Sequence, residues 1–93
     1  MDDRVRREVE VAAQILKQAG ACEVYLFGSA AAGKVHAKSD LDLAVRGLPP
    51  ERFFPAMSEV TFALKREIDL VDLDEPSPFT EYLVRKGKLS RVG

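Results

Sequence analysis

The hydrophobic positions of this chain alternate between amphipathic stripes and short continuous apolar runs. Apolar residues that recur every three or four positions predict helices. Short runs bounded by turn residues predict strands. The predicted helices cover about residues 3–19, 29–35, 54–65 and 78–86, and the predicted strands cover about residues 22–27, 41–46 and 67–73.

Proline and glycine positions set the predicted ends of the later elements. A proline in a helix interior removes a hydrogen bond, so we expect the second long helix to start at Phe54, with Pro55 in its first turn. Ser77 followed by Pro78 is typical of a helix start, and Gly87 suits the end of that helix.

The order α-β-α-β-α-β-α predicts an α/β domain. Its sheet is expected to be small and mixed, with three strands or slightly more, and to be covered by helices. A length of 93 residues fits a single domain over residues 1–93. The hydrophobic content of 46% is ordinary for a soluble globular protein.

Composition narrows the function classes. The 14 basic and 15 acidic residues nearly cancel, which argues against a nucleic-acid-binding domain. No apolar segment approaches the roughly 20 residues that span a bilayer, and the charged N-terminus is unlike a signal peptide, so we expect a cytoplasmic protein without membrane contact. Cys22 is the single cysteine, which excludes an intrachain disulfide, and we expect it to be buried.

Candidate chemistry lies between the first two predicted strands. Gly28 and Ser29 follow an apolar run, where a glycine lets the backbone approach a ligand closely and a serine supplies a hydroxyl and an N–H group for phosphate. Asp40 and Asp42 open the second strand. Because strand side chains alternate, both carboxylates share one face, and Leu41, Leu43 and Val45 share the other. Paired carboxylates beside a phosphate turn predict magnesium and a nucleotide.

Asp69 interrupts the apolar run of the third predicted strand. Such a run is expected in the middle of the sheet, where an unpaired charge is costly. A neighbouring metal site would explain why a carboxylate lies there. Asp72 and Asp74 are expected to be exposed charges at the end of the strand.

Gly28-Ser29, Asp40-x-Asp42 and Asp69 together resemble the minimal nucleotidyltransferases of the DNA polymerase beta-like superfamily. The resemblance covers about residues 20–74 and implies the nucleotidyltransferase fold. It implies that Gly28 and Ser29 hold the triphosphate of ATP or another nucleoside triphosphate. Asp40, Asp42 and Asp69 would bind two Mg²⁺ ions, with Asp69 also activating the acceptor hydroxyl. The implied reaction transfers a nucleoside monophosphate to a hydroxyl and releases pyrophosphate.

The same resemblance implies a partner. Minimal nucleotidyltransferases commonly act as antitoxins beside a small helical HEPN toxin, typically a ribonuclease, and some adenylylate a tyrosine on it. A chain this small has no domain to hold an acceptor, so another macromolecule or a second copy of the chain is expected to present it. Phe79, Tyr82 and Leu83 are candidate contact residues, although capping the core is their more ordinary role.

One departure from the family pattern supports an alternative function. Members often carry arginine in the turn after Gly-Ser, and this chain has Ala30, Ala31 and Ala32, with Lys34, His36 and Lys38 as the nearby basic residues. The alternative is a non-catalytic binding module that neutralises a partner by complex formation alone.

Overall fold

The computed structural model describes residues 3–34 and 39–93. Helices and strands alternate along the chain, which confirms the predicted α/β class. The elements are α1 (Asp3–Gln18), β1 (Glu23–Leu26), α2 (Gly28–Ala31), β2 (Leu41–Arg46), α3 (Pro50–Leu64), β3 (Ile68–Asp72), α4 (Pro78–Arg85) and β4 (Ser90–Arg91).

The sheet has four strands in the order β3-β2-β1-β4. β1 pairs antiparallel with β2 and with β4, whereas β2 pairs parallel with β3, so the sheet is mixed as predicted. Helix α3 makes the crossover that a parallel pair requires. The sequence pattern missed β4, because a strand of two residues is too short to show alternation.

One face of the sheet carries the main core. Leu41, Leu43 and Val45 of β2 are completely buried on this face, as the alternation predicts. They belong to one apolar cluster with the inner sides of α1 and α3, which contribute Val5, Val9, Ala12, Leu16, Ala56, Val60 and Leu64. Removal of this apolar surface from water stabilises the sheet, at roughly 25 cal/mol per Å².

A smaller cluster covers part of the other face. Phe27, Ala44, Leu73 and Leu83 form its buried centre, and Leu83 brings α4 onto the sheet. The Ser77 hydroxyl accepts a hydrogen bond from the Thr80 N–H at 3.1 Å, which confirms the predicted start of α4. Leu83 therefore caps the core, whereas Phe79 and Tyr82 remain 48% and 45% exposed.

The prediction for the start of α3 was wrong. The helix begins at Pro50 and contains Pro55 in its interior. Pro50 suits the first turn of a helix, where its missing N–H would have no partner in any case. Burial of Ala56, Val60 and Leu64 outweighs the one hydrogen bond lost at Pro55, whose own side chain is exposed.

Two other expectations were also wrong. β3 lies at the edge of the sheet, not in its middle, and Asp69 is exposed there. Cys22 is exposed rather than buried. Among the described residues, no helix is both long and apolar enough to cross a membrane.

Candidate active site

The predicted carboxylates and the Gly-Ser turn meet at one end of the sheet. Because β1 runs antiparallel to β2, the end of β1 lies beside the start of β2, and the Phe27 N–H donates to the Asp42 carbonyl at 3.1 Å. Because β3 runs parallel to β2, its start lies at the same end, and Asp69 is the register partner of Asp42. The topology thus brings Asp42, Asp69 and Gly28 together from three separate segments.

Gly28 lies against the Asp42 carboxylate. Its φ of +60° is in the left-handed region that side chains rarely adopt. A Cβ added there would overlap Asp42 Oδ2 and lie 3.3 Å from Asp42 Cγ. Glycine is therefore favoured at this position both by the backbone conformation and by the close approach of the carboxylate.

Asp42 carries the perturbed charge of the site. Burial, a hydrogen bond with Asp69 and the negative charges of Asp69 and Asp40 together raise its pKa to about 6. Protonation is one way to relieve this repulsion, and a cation between the carboxylates is the other.

Asp42 and Asp69 supply carboxylate oxygens, which are the kind of ligand that magnesium takes from a protein. Within residues 3–34 and 39–93, no three His, Cys, Asp or Glu side chains converge closely enough to hold a metal by themselves. Asp42 and Asp69 are nevertheless opposite each other, and Asp40 is near enough to raise the pKa of Asp42. Magnesium usually takes one or two protein carboxylates and completes its shell with phosphate and water oxygens. The donor set is therefore suitable, and the described geometry brings Asp42 and Asp69 closer together than it brings Asp40.

The turn after Gly28 forms the short helix α2. Ser29 is exposed and its carbonyl accepts from the Lys34 N–H at 2.9 Å, whereas Ala30 is buried in the core. Lys34 is exposed near this turn. His36 and Lys38 lie outside the described residues.

Arg66 is a buried residue that holds the segments leading into the site, and the sequence analysis missed it. Its side chain is only 4% exposed, and the guanidinium donates to Glu8 Oε2 of α1 at 2.6 Å. It also donates to the carbonyl of Ser39, the residue before Asp40, at 2.6 Å. Arg66 itself precedes Asp69 by three residues. One buried cation therefore ties α1 to both segments that lead into the carboxylates.

Asp72 and Asp74 have structural roles instead. Asp72 Oδ1 accepts from the Asp74 N–H at 2.9 Å, and Asp74 Oδ2 accepts from the Gly47 N–H at 2.6 Å. These bonds hold the turns at the end of the sheet opposite the site. Asp74 is exposed as predicted, whereas Asp72 is half-buried and not an exposed charge.

Comparison with known proteins gives the class to which this fold and site belong. The family model described as Polymerase beta, Nucleotidyltransferase matches residues 10–89. The chain belongs to this nucleotidyltransferase family. No curated protein sequence shows a significant match to it.

Solved structures identify the fold more closely. A structure described as a minimal nucleotidyltransferase is 24% identical with a TM-score of 0.75, over 100% of this chain and 96% of the other. A toxin–antitoxin structure with AMP-PNP is 27% identical with a TM-score of 0.71, over 90% of this chain and 70% of the other. A tri-AMPylated Shewanella oneidensis HEPN toxin in complex with its antitoxin gives 22% identity and a TM-score of 0.67, over 92% of this chain and 69% of the other. The chain has the minimal nucleotidyltransferase fold.

Replacement of Gly28 tests its contact with Asp42, and Gly87 provides a matched control. Gly87 has a φ of +63°, and nothing lies within 4 Å of a Cβ added there. Gly87→Ala should therefore lower the free energy of unfolding, measured with urea, by about 1–2 kcal/mol, which is the cost of a side chain at positive φ. Gly28→Ala should lower the free energy of unfolding by more than this, because the added Cβ also displaces the Asp42 carboxylate. Equal losses in the two variants would show that this overlap is relieved without cost.

The raised pKa of Asp42 predicts a pH dependence of the metal-free protein. The folded protein keeps a proton on Asp42 that the unfolded chain loses near the ordinary pKa of 3.8, so Asp42 lowers stability as pH rises from 3.8 through about 6. Asp42→Asn should remove this component from unfolding free energies measured across that range. Glu75→Gln, at an exposed site away from the pair, should retain it. Identical slopes for wild type and Asp42→Asn would contradict the prediction.

The buried ion pair predicts that replacing Arg66 destabilises the protein much more than replacing an exposed arginine. Arg66→Ala leaves Glu8 without its cation and should lower the free energy of unfolding by about 3–5 kcal/mol. Arg7→Ala, at an exposed position of α1, should change it by about 0.5 kcal/mol or less. A double-mutant cycle with Glu8→Ala should give a favourable coupling energy, and additive losses would argue against the pair.

Proposed function

We propose that this chain is a metal-dependent nucleotidyltransferase that transfers a nucleoside monophosphate, AMP from ATP in the simplest case, to a hydroxyl group on a protein partner. The in-register pairing of Asp42 with Asp69 beside Gly28 is the observation that carries the proposal. This pairing places two carboxylates next to a glycine at which a phosphate can approach the backbone. The family match supports the reaction class.

Each candidate residue has a defined role in this proposal. Asp40, Asp42 and Asp69 would hold Mg²⁺, which stabilises negative charge on the phosphate oxygens when it is bound. Gly28 and Ser29 would hold the phosphates of the nucleoside triphosphate. Asp69 is exposed on the edge strand, where an acceptor can reach it. Arg66 is a positioning residue, since it binds the chain before Asp40 and not the reacting groups.

The proposed chemistry is a single displacement at the α-phosphorus. The acceptor oxygen forms a bond to that phosphorus as the bond to the bridging oxygen of the β-phosphate breaks, and pyrophosphate leaves. The acceptor proton passes to the Asp69 carboxylate. Positioning and charge stabilisation account for most of the catalysis of such transfers.

A HEPN toxin is the proposed acceptor protein, which would make the chain an antitoxin. Support comes from the toxin–antitoxin structure with AMP-PNP, whose relevant chain is 27% identical to this one. The Shewanella oneidensis complex supplies the class of partner, because its HEPN toxin is AMPylated.

The proposal predicts which phosphate is transferred. Purified chain, Mg²⁺ and a candidate HEPN protein should transfer label from α-labelled ATP to the partner, and no label from γ-labelled ATP. Asp69→Asn should slow transfer by about 10²-fold or more, because it removes the general base, while AMP-PNP still binds. Glu67→Gln is the matched control, since it removes an exposed carboxylate two residues away in the same segment and should leave the rate close to wild type.

The non-catalytic alternative is favoured by the alanines in the turn and by the absence of a three-ligand cluster among the described residues. It predicts no label on any partner and intact ATP. It also predicts that the double variant Asp40→Asn with Asp42→Asn neutralises the toxin as well as wild type. Loss of neutralisation in that variant, together with transfer of the α-label by wild type, would exclude it.

A further inference from the structure

A groove of about 610 Å³ adjoins the candidate active site on the side away from Asp69. One wall consists of the end of β1 and α2, and the other consists of α4 and the segment leading into β4. Its lining includes Phe27, Gly28, Ala31, Phe79, Tyr82 and Lys88. This volume is within the usual range for small-molecule pockets.

The groove and the carboxylates share Gly28. Across the sheet, the order β3-β2-β1-β4 places Asp69 first, Asp42 next, then Gly28 after β1, and the groove beside β4. A ligand whose phosphates lie at Gly28 therefore has the carboxylates on one side and the groove on the other. The groove therefore meets the carboxylate site at Gly28.

The lining of the groove is suited to a nucleotide. Phe79 and Tyr82 are about half exposed, and the Phe79 ring is held edge-on against Phe27 with centroids 5.7 Å apart. Partly exposed aromatic rings can stack on a nucleobase. Among the described residues that line the groove, Lys88 is the charged side chain, and no acidic side chain lines it. Lys88 and Gly28 line the same groove, so a triphosphate at Gly28 would have a cationic side chain in the surrounding lining.

We infer that this groove is the nucleotide-binding part of the site, in which Tyr82 contacts the base and Lys88 binds the phosphates of a nucleoside triphosphate. The inference rests on the proposed function for the identity of the ligand. It assigns to Lys88 the cationic role for which the turn after Ser29, with Ala30, Ala31 and Ala32, has no side chain.

Binding measurements on the full chain with Mg²⁺ test this inference without requiring transfer. AMP-PNP and adenosine are the probes, and calorimetry gives their Kd values. Lys88→Ala should weaken AMP-PNP binding about tenfold and leave adenosine binding nearly unchanged, because only the phosphates meet the ammonium group. Lys86→Ala is the matched control, since Lys86 is also exposed and is not part of the groove lining.

Tyr82 variants test the base contact separately. Tyr82→Ala should weaken both probes about fivefold or more, whereas Tyr82→Phe, which keeps the ring, should bind like wild type. Phe62→Ala controls for the loss of an exposed ring, because Phe62 lies on α3 away from the groove and is 84% exposed. Circular dichroism and urea unfolding confirm that each variant is folded.

The outcomes separate this inference from the proposed function. If Asp42→Asn abolishes AMP-PNP binding but Lys88→Ala and Tyr82→Ala bind like their controls, the groove inference is overturned and the proposed function stands. If the groove variants weaken binding as expected and no α-label is transferred, the groove inference stands and the proposed catalysis is wrong. Failure of wild type to bind AMP-PNP would overturn both.

Discussion

The parallel pairing of β2 with β3 is the constraint on which the rest of the site depends. It places Asp42 directly opposite Asp69, an arrangement that is unfavourable for two carboxylates unless a proton or a cation intervenes. On the opposite face of β2, Leu41, Leu43 and Val45 are completely buried. Burial of these side chains fixes the register, because a shift by one residue would turn all three away from α1 and α3. Burial of the apolar side chains of β2 thus stabilises a register that repulsion between Asp42 and Asp69 opposes.

The alternation of side chains explains how much of this site could be predicted from sequence. It determines that Asp42 faces away from the core, and the chain order determines that three separate segments supply Gly28, Asp42 and Asp69. The order of strands depends on the crossover through α3, which periodicity does not reveal. Asp69 was therefore expected in the centre of the sheet and lies at its edge, where it is exposed rather than enclosed. Its proximity to Asp42 was predicted correctly from a premise that was wrong.

Arg66 shows a second limit of sequence analysis. It follows Lys65 in a polar segment between a helix and a strand, and nothing in that pattern distinguishes a buried arginine from an exposed lysine. Its burial depends on Glu8, 58 residues earlier, and on the carbonyl of Ser39, 27 residues earlier. Lys88 is a similar case, because only the return of α4 and β4 to the sheet brings it to the groove beside Gly28. A residue far away in the sequence can thus lie at the site when the topology brings its segment there, and local sequence patterns do not reveal this.

The position of the groove has a consequence for where an acceptor approaches. If the nucleotide occupies the groove between α2 and α4, it covers Phe79 and Tyr82, which were named as candidate partner contacts although capping the core was their more ordinary role. The acceptor hydroxyl must reach the α-phosphorus from the side opposite the leaving pyrophosphate. Asp69, exposed on the edge strand β3, lies on the side of the carboxylate pair away from the groove. In the proposed arrangement a protein acceptor would approach over the β3 edge, which lies across β2 and β1 from the groove beside β4 where the nucleotide would bind.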